Sequence, residues 1–173
     1  MSILFGLYQA DSGIIKKDGE VIEIKGPKDA NKYRIGMVHQ HFKLVDTFTV
    51  LDNIILGSED TKNGFLTRTK AREKIEGILK KYNLKLDLDK TIEELTVGQQ
   101  QKVEIVKMLY RDSKYLIFDE PTAVLTPQEI EELIEIMQGF KREGKAIILI
   151  THKLNEIKAA ADMQKSLDDR TAA

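Results

Sequence analysis

Short, nearly unbroken apolar runs occur at residues 35–40, 115–120 and 146–151. Runs of this length without alternating polar residues are typical of strands buried in a parallel sheet. At 69–82 and 127–143 the apolar residues instead recur every three or four positions with charged residues between them, and this spacing predicts amphipathic helices. Strands that alternate with helices predict an α/β fold built around a largely parallel sheet.

Three other segments complete the predicted fold. Asp18 and Gly19 lie between apolar stretches and predict the tight turn of an antiparallel hairpin. Residues 2–8 have the pattern of the last turns of a helix. Residues 49–111 carry only helical patterns, which predicts a helical lobe inserted between two strands of the sheet.

Composition narrows the classes of function. The chain has 173 residues, enough for one domain with an inserted lobe, and its net charge of −1 provides no field that would attract nucleic acid. It has no cysteine, which excludes disulfides and thiolate metal sites and favours a reducing compartment. Its longest apolar runs are far too short to cross a bilayer, and its first residues have no basic leader. We therefore expect a soluble, cytoplasmic chain with no nucleic-acid partner.

The run at 115–120 ends in two adjacent acids, Asp119 and Glu120, which are followed by Pro121. Carboxylates at the end of a buried strand are costly to keep charged unless a cation or hydrogen-bond donors compensate them. A magnesium ion on a bound nucleotide would do so, and the alternative is that the two acids only cap a turn. A nucleotide site also needs a glycine-rich phosphate loop between a strand and a helix. The nearest match, at 139–146, follows a predicted helix and precedes a predicted strand, so it does not serve.

A second polar motif lies at residues 96–99. Thr96 followed three positions later by Gln99 forms a capping box, which predicts that a helix begins here. Gly98 in its first turn leaves backbone N–H groups accessible to an anion. Taken alone, the motif indicates a well-capped helix. We expect the fold to tolerate a side chain at position 98, because alanine and glutamate are better helix formers than glycine.

Four segments, in their order along the chain, resemble the motifs of the ATP-binding-cassette (ABC) ATPases. HQHFKLVDTFTVLDNIILG (39–57) is similar to the glutamine loop and the start of the helical lobe. LTVGQQQKVEIVK (95–107) resembles the signature loop, YLIFDEPTAVLTPQE (115–129) the acidic strand and D-loop, and ILITHKLNEI (148–157) the histidine loop. The residues of these motifs are most similar to those of importers of simple sugars and nucleosides, whose ATPases usually carry two cassettes in one chain. This chain resembles part of the first cassette.

The resemblance implies roles for the residues around the two acids. Asp119 would hold magnesium through water, and Glu120 would act as the general base on the attacking water. Gln40 would reach the metal and that water, while the segment behind it faces the membrane subunit. His152 would contact the γ-phosphate and position Glu120.

The resemblance also implies cofactors and partners. Thr96, Gly98 and Gln99 would contact the γ-phosphate of ATP held by an opposite cassette, because two cassettes pack head to tail and each completes the other's site. The implied cofactors are ATP and magnesium. The implied partners are a second cassette, an integral membrane permease contacted near Gln40 and, indirectly, a solute-binding protein. These partners would make the chain a peripheral subunit on the inner face of the plasma membrane.

The resemblance covers residues 1–162, with the helical lobe at about 49–111, and the polar residues 163–173 predict a disordered tail. It implies that residue 1 lies just downstream of the phosphate loop. We therefore expect an incomplete P-loop NTPase-like ABC ATPase domain that is inactive alone. Two alternatives remain open at this point: an incomplete, non-catalytic fragment, and a soluble ABC ATPase of DNA repair.

Overall fold

The computed structural model describes the chain at residues 2–40, 42–58, 61–62, 65–66 and 68–151. Its strands are β1 (Ile15–Lys17), β2 (Glu20–Ile22), β3 (Ile35–Val38), β4 (Thr61–Lys62), β5 (Phe65–Leu66), β6 (Tyr115–Asp119) and β7 (Ala146–Ile150). Its α-helices are α1 (Pro27–Lys32), α2 (Val50–Ile55), α3 (Arg68–Lys81), α4 (Val97–Tyr110) and α5 (Pro127–Arg142), and a 3₁₀ helix (Ile92–Glu94) precedes α4.

Strands β3, β6 and β7 form a parallel sheet with β6 in the middle. In its register Val38 lies beside Phe118, and Asp119 lies beside Ile150. The middle strand reads as a continuous apolar run because both of its faces are covered, and residues 116–118 are almost completely buried. The prediction of an α/β fold with a parallel sheet is confirmed.

The predicted antiparallel hairpin is also confirmed, as β1 and β2. Asp18 and Gly19 both have positive φ, at 52° and 87°. That pair of left-handed conformations belongs to the two-residue turns that match the twist of a hairpin. The hydroxyl of Tyr115 donates a hydrogen bond to Asp18 Oδ1 at 3.2 Å, which ties the hairpin to the middle strand of the sheet.

Helix α4 lies at the centre of the larger hydrophobic cluster, where it packs against α2, α3 and β3. Helix α5 packs against β7 and buries the amphipathic stripe predicted from its sequence, which includes Leu133, Met137 and Phe140. A smaller cluster around Phe5 and Ile117 covers the other face of the sheet. The sheet is thus held between two apolar layers, which fixes the positions of its strand ends.

Three features differ from the sequence prediction. Residues 2–8 form turns rather than a helix end, since Gly6 adopts φ of 77° and the N–H of Leu7 donates to a carbonyl five residues back. The short hairpin of β4 and β5 lies inside the stretch 49–111 that was predicted to be wholly helical. Helix α1, with Pro27 at its first position, was not predicted because six residues are too few for a periodic pattern.

The predicted division into a domain at 1–162 and a tail at 163–173 remains a prediction, because residues 152–173 lie outside the described part of the chain. Among the residues that the structure describes, every helix is too short or too polar to span a bilayer.

Candidate functional site

The carboxyl ends of the three parallel strands bring the predicted acids and glutamine to one edge of the sheet. Asp119 is the last residue of β6 and Glu120 follows it, while Gln40 lies two residues beyond the end of β3. The neighbouring end of β7 is Ile150. Ligands of open parallel sheets bind outside this edge. We call Gln40, Asp119 and Glu120 the sheet-edge group.

Glu120 has an unusual backbone. Its φ is 47°, in the left-handed region that residues with a Cβ rarely adopt. Its N–H donates to the carbonyl of Ile150 at 2.9 Å, so the turn after β6 remains attached to the end of β7. The side chain is half-buried. Such local strain concentrates at functional sites and persists only where the surrounding structure holds it.

Asp119 is half-buried and suits a divalent cation. In the part of the chain that is described, no hydrogen bond or ion pair engages its carboxylate, and those residues contain no cluster of three or more His, Asp or Glu that would hold a metal by itself. Magnesium is commonly bound by one or two carboxylates together with substrate phosphates and water. The oxygen atoms of Asp119, which no other described residue engages, fit such a shared site.

His39 lies beside Gln40, at the end of β3. It is half-buried and packs edge-on against Phe5, with ring centroids 5.4 Å apart. Burial lowers its pKa below the ordinary value of 6.5, and Lys43 lowers it further, although the negative charge of Asp119 opposes the change. His39 is therefore mostly neutral at neutral pH. His152, predicted to contact the γ-phosphate, lies outside the described residues.

The second predicted group is the turn Thr96–Gln99, here called the signature turn, at the start of α4. Its capping box is present: the N–H of Gln99 donates to Thr96 Oγ1 at 3.3 Å, and the N–H of Thr96 donates to Gln99 Oε1 at 3.0 Å. Each side chain therefore accepts the backbone N–H of the other residue. The turn can offer a ligand the remaining N–H groups at the positive end of the α4 dipole.

Gly98 is buried beneath Glu129, at the start of α5. A Cβ atom at position 98 would lie 2.1 Å from Glu129 Oε1 and 2.6 Å from its carboxyl carbon. Glu129 Oε2 accepts hydrogen bonds from the N–H and hydroxyl of Thr126, both at 2.9 Å, so the carboxylate is held over the glycine. A side chain at position 98 would therefore displace the Glu129 carboxylate from Thr126, which is a tertiary cost that helix propensity does not include. The expectation that the fold tolerates a side chain there stays a prediction.

Gln101, one turn further along α4, was not predicted from the sequence as a site residue. Its side chain is buried at 2% exposure, and its Nε2 donates to the carbonyl of Pro121 at 2.7 Å. Gln101 shares an apolar helix face with Ile105 and Met108, and a glutamine within an apolar stripe is a signal that the sequence did contain. This bond links helix α4, which begins at the signature turn, to the loop that follows Glu120.

A model of a known protein family matches most of this chain. The family model described as "ABC transporter" matches residues 1–123, well over half of the chain. The chain belongs to the ABC transporter family. The resemblance to the ABC ATPases is therefore confirmed.

Relatives of this ABC chain are named as transport or import ATP-binding proteins. A putative carbohydrate transport ATP-binding protein of Mycoplasma pneumoniae is 54% identical, over 93% of this chain and 30% of its own length. The nucleoside import ATP-binding protein NupA of Lactococcus lactis is 53% identical, over 94% of this chain and 32% of its own length. The chain thus spans about a third of the curated relatives that it matches.

Solved structures of ABC cassettes share the fold. A cassette crystallised in its ADP conformation has a TM-score of 0.74 and 26% identity, covering 88% of this chain and 64% of its own. A nucleotide-free cassette also has a TM-score of 0.74, at 24% identity, covering 89% of this chain and 65% of its own, and at this identity the likeness shows the fold alone. The α/β assignment is thereby confirmed for an ABC cassette.

A cavity of about 270 Å³ opens beside the glutamine loop of this ABC chain, and its lining includes His39, Lys43 and Leu56. Glu104 lies at its base, where its Oε1 accepts from the N–H of Lys43 at 3.0 Å and faces Lys107 Nζ at 3.9 Å. Burial raises the pKa of Glu104 and lowers that of Lys107. The cavity thus combines apolar walls with the charged pair of Glu104 and Lys107.

Proposed function

We propose that this chain is part of the ATP-hydrolysing subunit of an ABC importer for a small solute of the sugar or nucleoside type. The observation that carries the proposal is the meeting of Gln40, Asp119 and Glu120 at the carboxyl edge of the parallel sheet. The names of the two relatives support a sugar or nucleoside class of solute and favour transport over a role in DNA repair. The name of the Lactococcus lactis relative supports import.

The proposed cofactors are ATP and magnesium. Bound magnesium neutralises charge on the phosphates during phosphoryl transfer. Asp119 would hold the ion through water, because its carboxylate is half-buried and unengaged among the described residues. Gln40, which is exposed, would orient water beside the ion with its side-chain amide.

Glu120 is the proposed general base. A carboxylate accepts a proton from water efficiently only when it is held within hydrogen-bond reach of that water. The bond from the N–H of Glu120 to Ile150 fixes the start of this side chain at the sheet edge. His152, which follows Thr151 at the end of the neighbouring strand, is proposed to contact the γ-phosphate and to position Glu120.

The signature turn is the proposed contact with a second cassette. Thr96, Gly98 and Gln99 would face the γ-phosphate of ATP held by that cassette, with the two packed head to tail. The first-turn N–H groups of α4 suit an anion, and the α4 dipole favours negative charge there. Val97 within the turn is 42% exposed, which leaves this surface accessible to a partner.

A membrane permease is the proposed partner at the glutamine loop. The cavity beside His39 and Lys43 supports this placement because it lies next to Gln40 and has apolar walls. A solute-binding protein would act through the permease. The chain would then work at the inner face of the plasma membrane, as a peripheral subunit in the cytoplasm.

The test uses a graft in which this chain replaces the matching segment of the Lactococcus lactis relative, here called the grafted protein. With Mg-ATP, we expect turnover that falls by about 100-fold or more in Glu120→Gln, while the Kd for ATP stays within about twofold. Glu131→Gln makes the same chemical change at an exposed position of α5, and it should leave both quantities unchanged. Loss of ATP binding together with turnover in Glu120→Gln would show that Glu120 is structural, and an inactive grafted protein would contradict the proposed function.

A further inference from the structure

We propose that Gln101 is a positioning residue for Glu120 and acts through the carbonyl group of Pro121. The proposal deepens the proposed function and rests on it, because positioning has a catalytic meaning only if Glu120 is the base. The observation behind it is the 2.7 Å hydrogen bond from Gln101 Nε2 to the carbonyl oxygen of Pro121.

The backbone at Glu120 needs to be held. Its positive φ of 47° is disfavoured for any residue with a Cβ, and a residue before proline also prefers an extended conformation. A free chain would therefore leave this conformation and carry the Glu120 carboxylate with it. The conformation persists only if the flanking groups are fixed from outside the turn.

Bonds on both sides of Glu120 supply that restraint. On the strand side, its N–H donates to the carbonyl of Ile150 at 2.9 Å. On the loop side, Gln101 holds the carbonyl of Pro121. Because the proline ring already fixes φ at position 121, fixing its carbonyl leaves little freedom in the peptide units next to Glu120. The N–H of Ala123 then closes the turn with a longer bond of 3.3 Å to the carbonyl of Glu120.

Stability alone does not account for Gln101. Its side chain is 2% exposed, and within the described part of the chain its Oε1 has no hydrogen-bond partner. A buried acceptor left unpaired costs at least as much as one typical internal hydrogen bond contributes, so an apolar side chain of equal size would stabilise this position as well or better. The amide is therefore explained by what its one bond holds in place.

The matched test compares Gln101→Met with Gln100→Met in the grafted protein. Methionine has nearly the length of glutamine but cannot donate to Pro121. Gln100 precedes Gln101 on the same helix, and its Nε2 makes only long bonds, at 3.3 Å to the carbonyl of Ile92 and 3.4 Å to that of Leu95. It therefore controls for replacing a helical glutamine without touching the loop after β6.

For Gln101→Met we expect kcat to fall by about tenfold or more with the KM for ATP within about twofold, which is the pattern of a misplaced catalytic group. The melting temperature should stay level or rise. Gln100→Met should keep kcat. An equal loss of kcat in both variants, or an unchanged kcat in Gln101→Met, would overturn the proposal.

Amide hydrogen exchange gives a readout that does not depend on hydrolysis. Peptides covering residues 120–125 should exchange about tenfold faster in Gln101→Met, while those covering 103–110 of α4 should be unchanged. Faster exchange along the whole of α4 together with a lower melting temperature would make Gln101 structural and overturn the proposal. If the grafted protein itself does not hydrolyse ATP, the proposed function fails, whereas the exchange result still decides whether Gln101 holds this turn.

Discussion

The sheet-edge group and the signature turn use polar residues in opposite ways. At the sheet edge Gln40 is exposed, and the carboxylate of Asp119 makes no hydrogen bond or ion pair with other described residues. In the signature turn Thr96 and Gln99 are occupied with each other, and the place of a side chain at Gly98 is filled by Glu129. The sheet edge therefore presents side chains, and the signature turn presents backbone.

Because of this difference, we expect substitutions in the two regions to affect ligand binding and fold stability differently. A change to an unengaged side chain at the sheet edge alters what the site can bind but breaks few internal contacts. A side chain added at Gly98 in the signature turn disturbs the packing of α4 against Glu129 of α5, whether or not a ligand is bound. Each prediction below tests one side of this contrast.

Among the predictions that test this contrast, the largest expected effect is that of Asp119→Asn in the grafted protein. The amide keeps the shape of the carboxylate but removes its charge, so the magnesium concentration for half-maximal turnover should rise by about tenfold or more. The melting temperature should hardly change, because no described residue pairs with Asp119. Magnesium titration of turnover measures the effect, and Asp46→Asn, at an exposed position, is the control. An unchanged titration would remove Asp119 from the metal site.

The next effect is that of Gly98→Ala. Alanine normally stabilises a helix by about 1 kcal/mol relative to glycine. Here its Cβ would overlap Glu129 Oε1, and overpacking of this kind costs about 1–3 kcal/mol. We therefore expect a net loss of up to about 2 kcal/mol, measured by thermal or urea unfolding of the grafted protein. Gly77→Ala in α3 is the matched control, because the space around Gly77 is open. This substitution should increase the free energy of unfolding.

The same substitution in a Glu129→Ala background sharpens the test. Removing the overlying carboxylate should turn the loss at position 98 into a gain, which is a coupling that a double-mutant cycle measures directly. If Gly98→Ala destabilises the protein equally in both backgrounds, the contact with Glu129 is not what excludes a side chain.

The smallest effect is a dependence on pH at Glu129. The backbone hydrogen bond from Thr126, and then the one from its hydroxyl, hold the pKa of Glu129 below its ordinary value of 4.5. The carboxylate therefore stabilises the fold above that ordinary value, and the contribution is lost as pH falls through the lower folded-state pKa. The difference in melting temperature between the grafted protein and its Glu129→Gln variant should narrow as pH falls below the ordinary value of 4.5. A difference that is constant with pH would contradict this assignment.

The sequence predicted those parts of the fold that depend on local pattern. The strands around residues 117 and 148 are apolar runs, and the helix from Thr126 combines a capping box with a regular stripe, so both features can be seen without knowing what they contact. Six-residue α1 and the turns at 2–8 have too little periodicity to be recognised.

The part of the site that lies at strand ends could be predicted from the order of strands along the chain. Parallel strands must end at one edge, so the sheet-edge group follows from strand positions. The contact between Gly98 and Glu129, and the bond from Gln101 to Pro121, join residues 20 or more positions apart through the packing of α4. Gln101 is visible in the sequence as a polar residue within an apolar stripe, but its partner Pro121 has no local signature. Helix propensity likewise takes no account of Glu129 above position 98.

The pairing of β3 with β6 also has a kinetic consequence. These neighbouring strands are separated in sequence by the whole lobe that contains α2, α3 and α4, so their pairing must close a long loop whose entropy is lost before any contact repays it. We expect the lobe helices to assemble early and shorten this loop, and the sheet to form late. Ile75→Val, in the buried face of α3, should then slow refolding, whereas Ile117→Val in β6 should mainly accelerate unfolding. The folding of the lobe would thus control the rate at which the sheet edge forms, although no residue of the sheet-edge group belongs to the lobe.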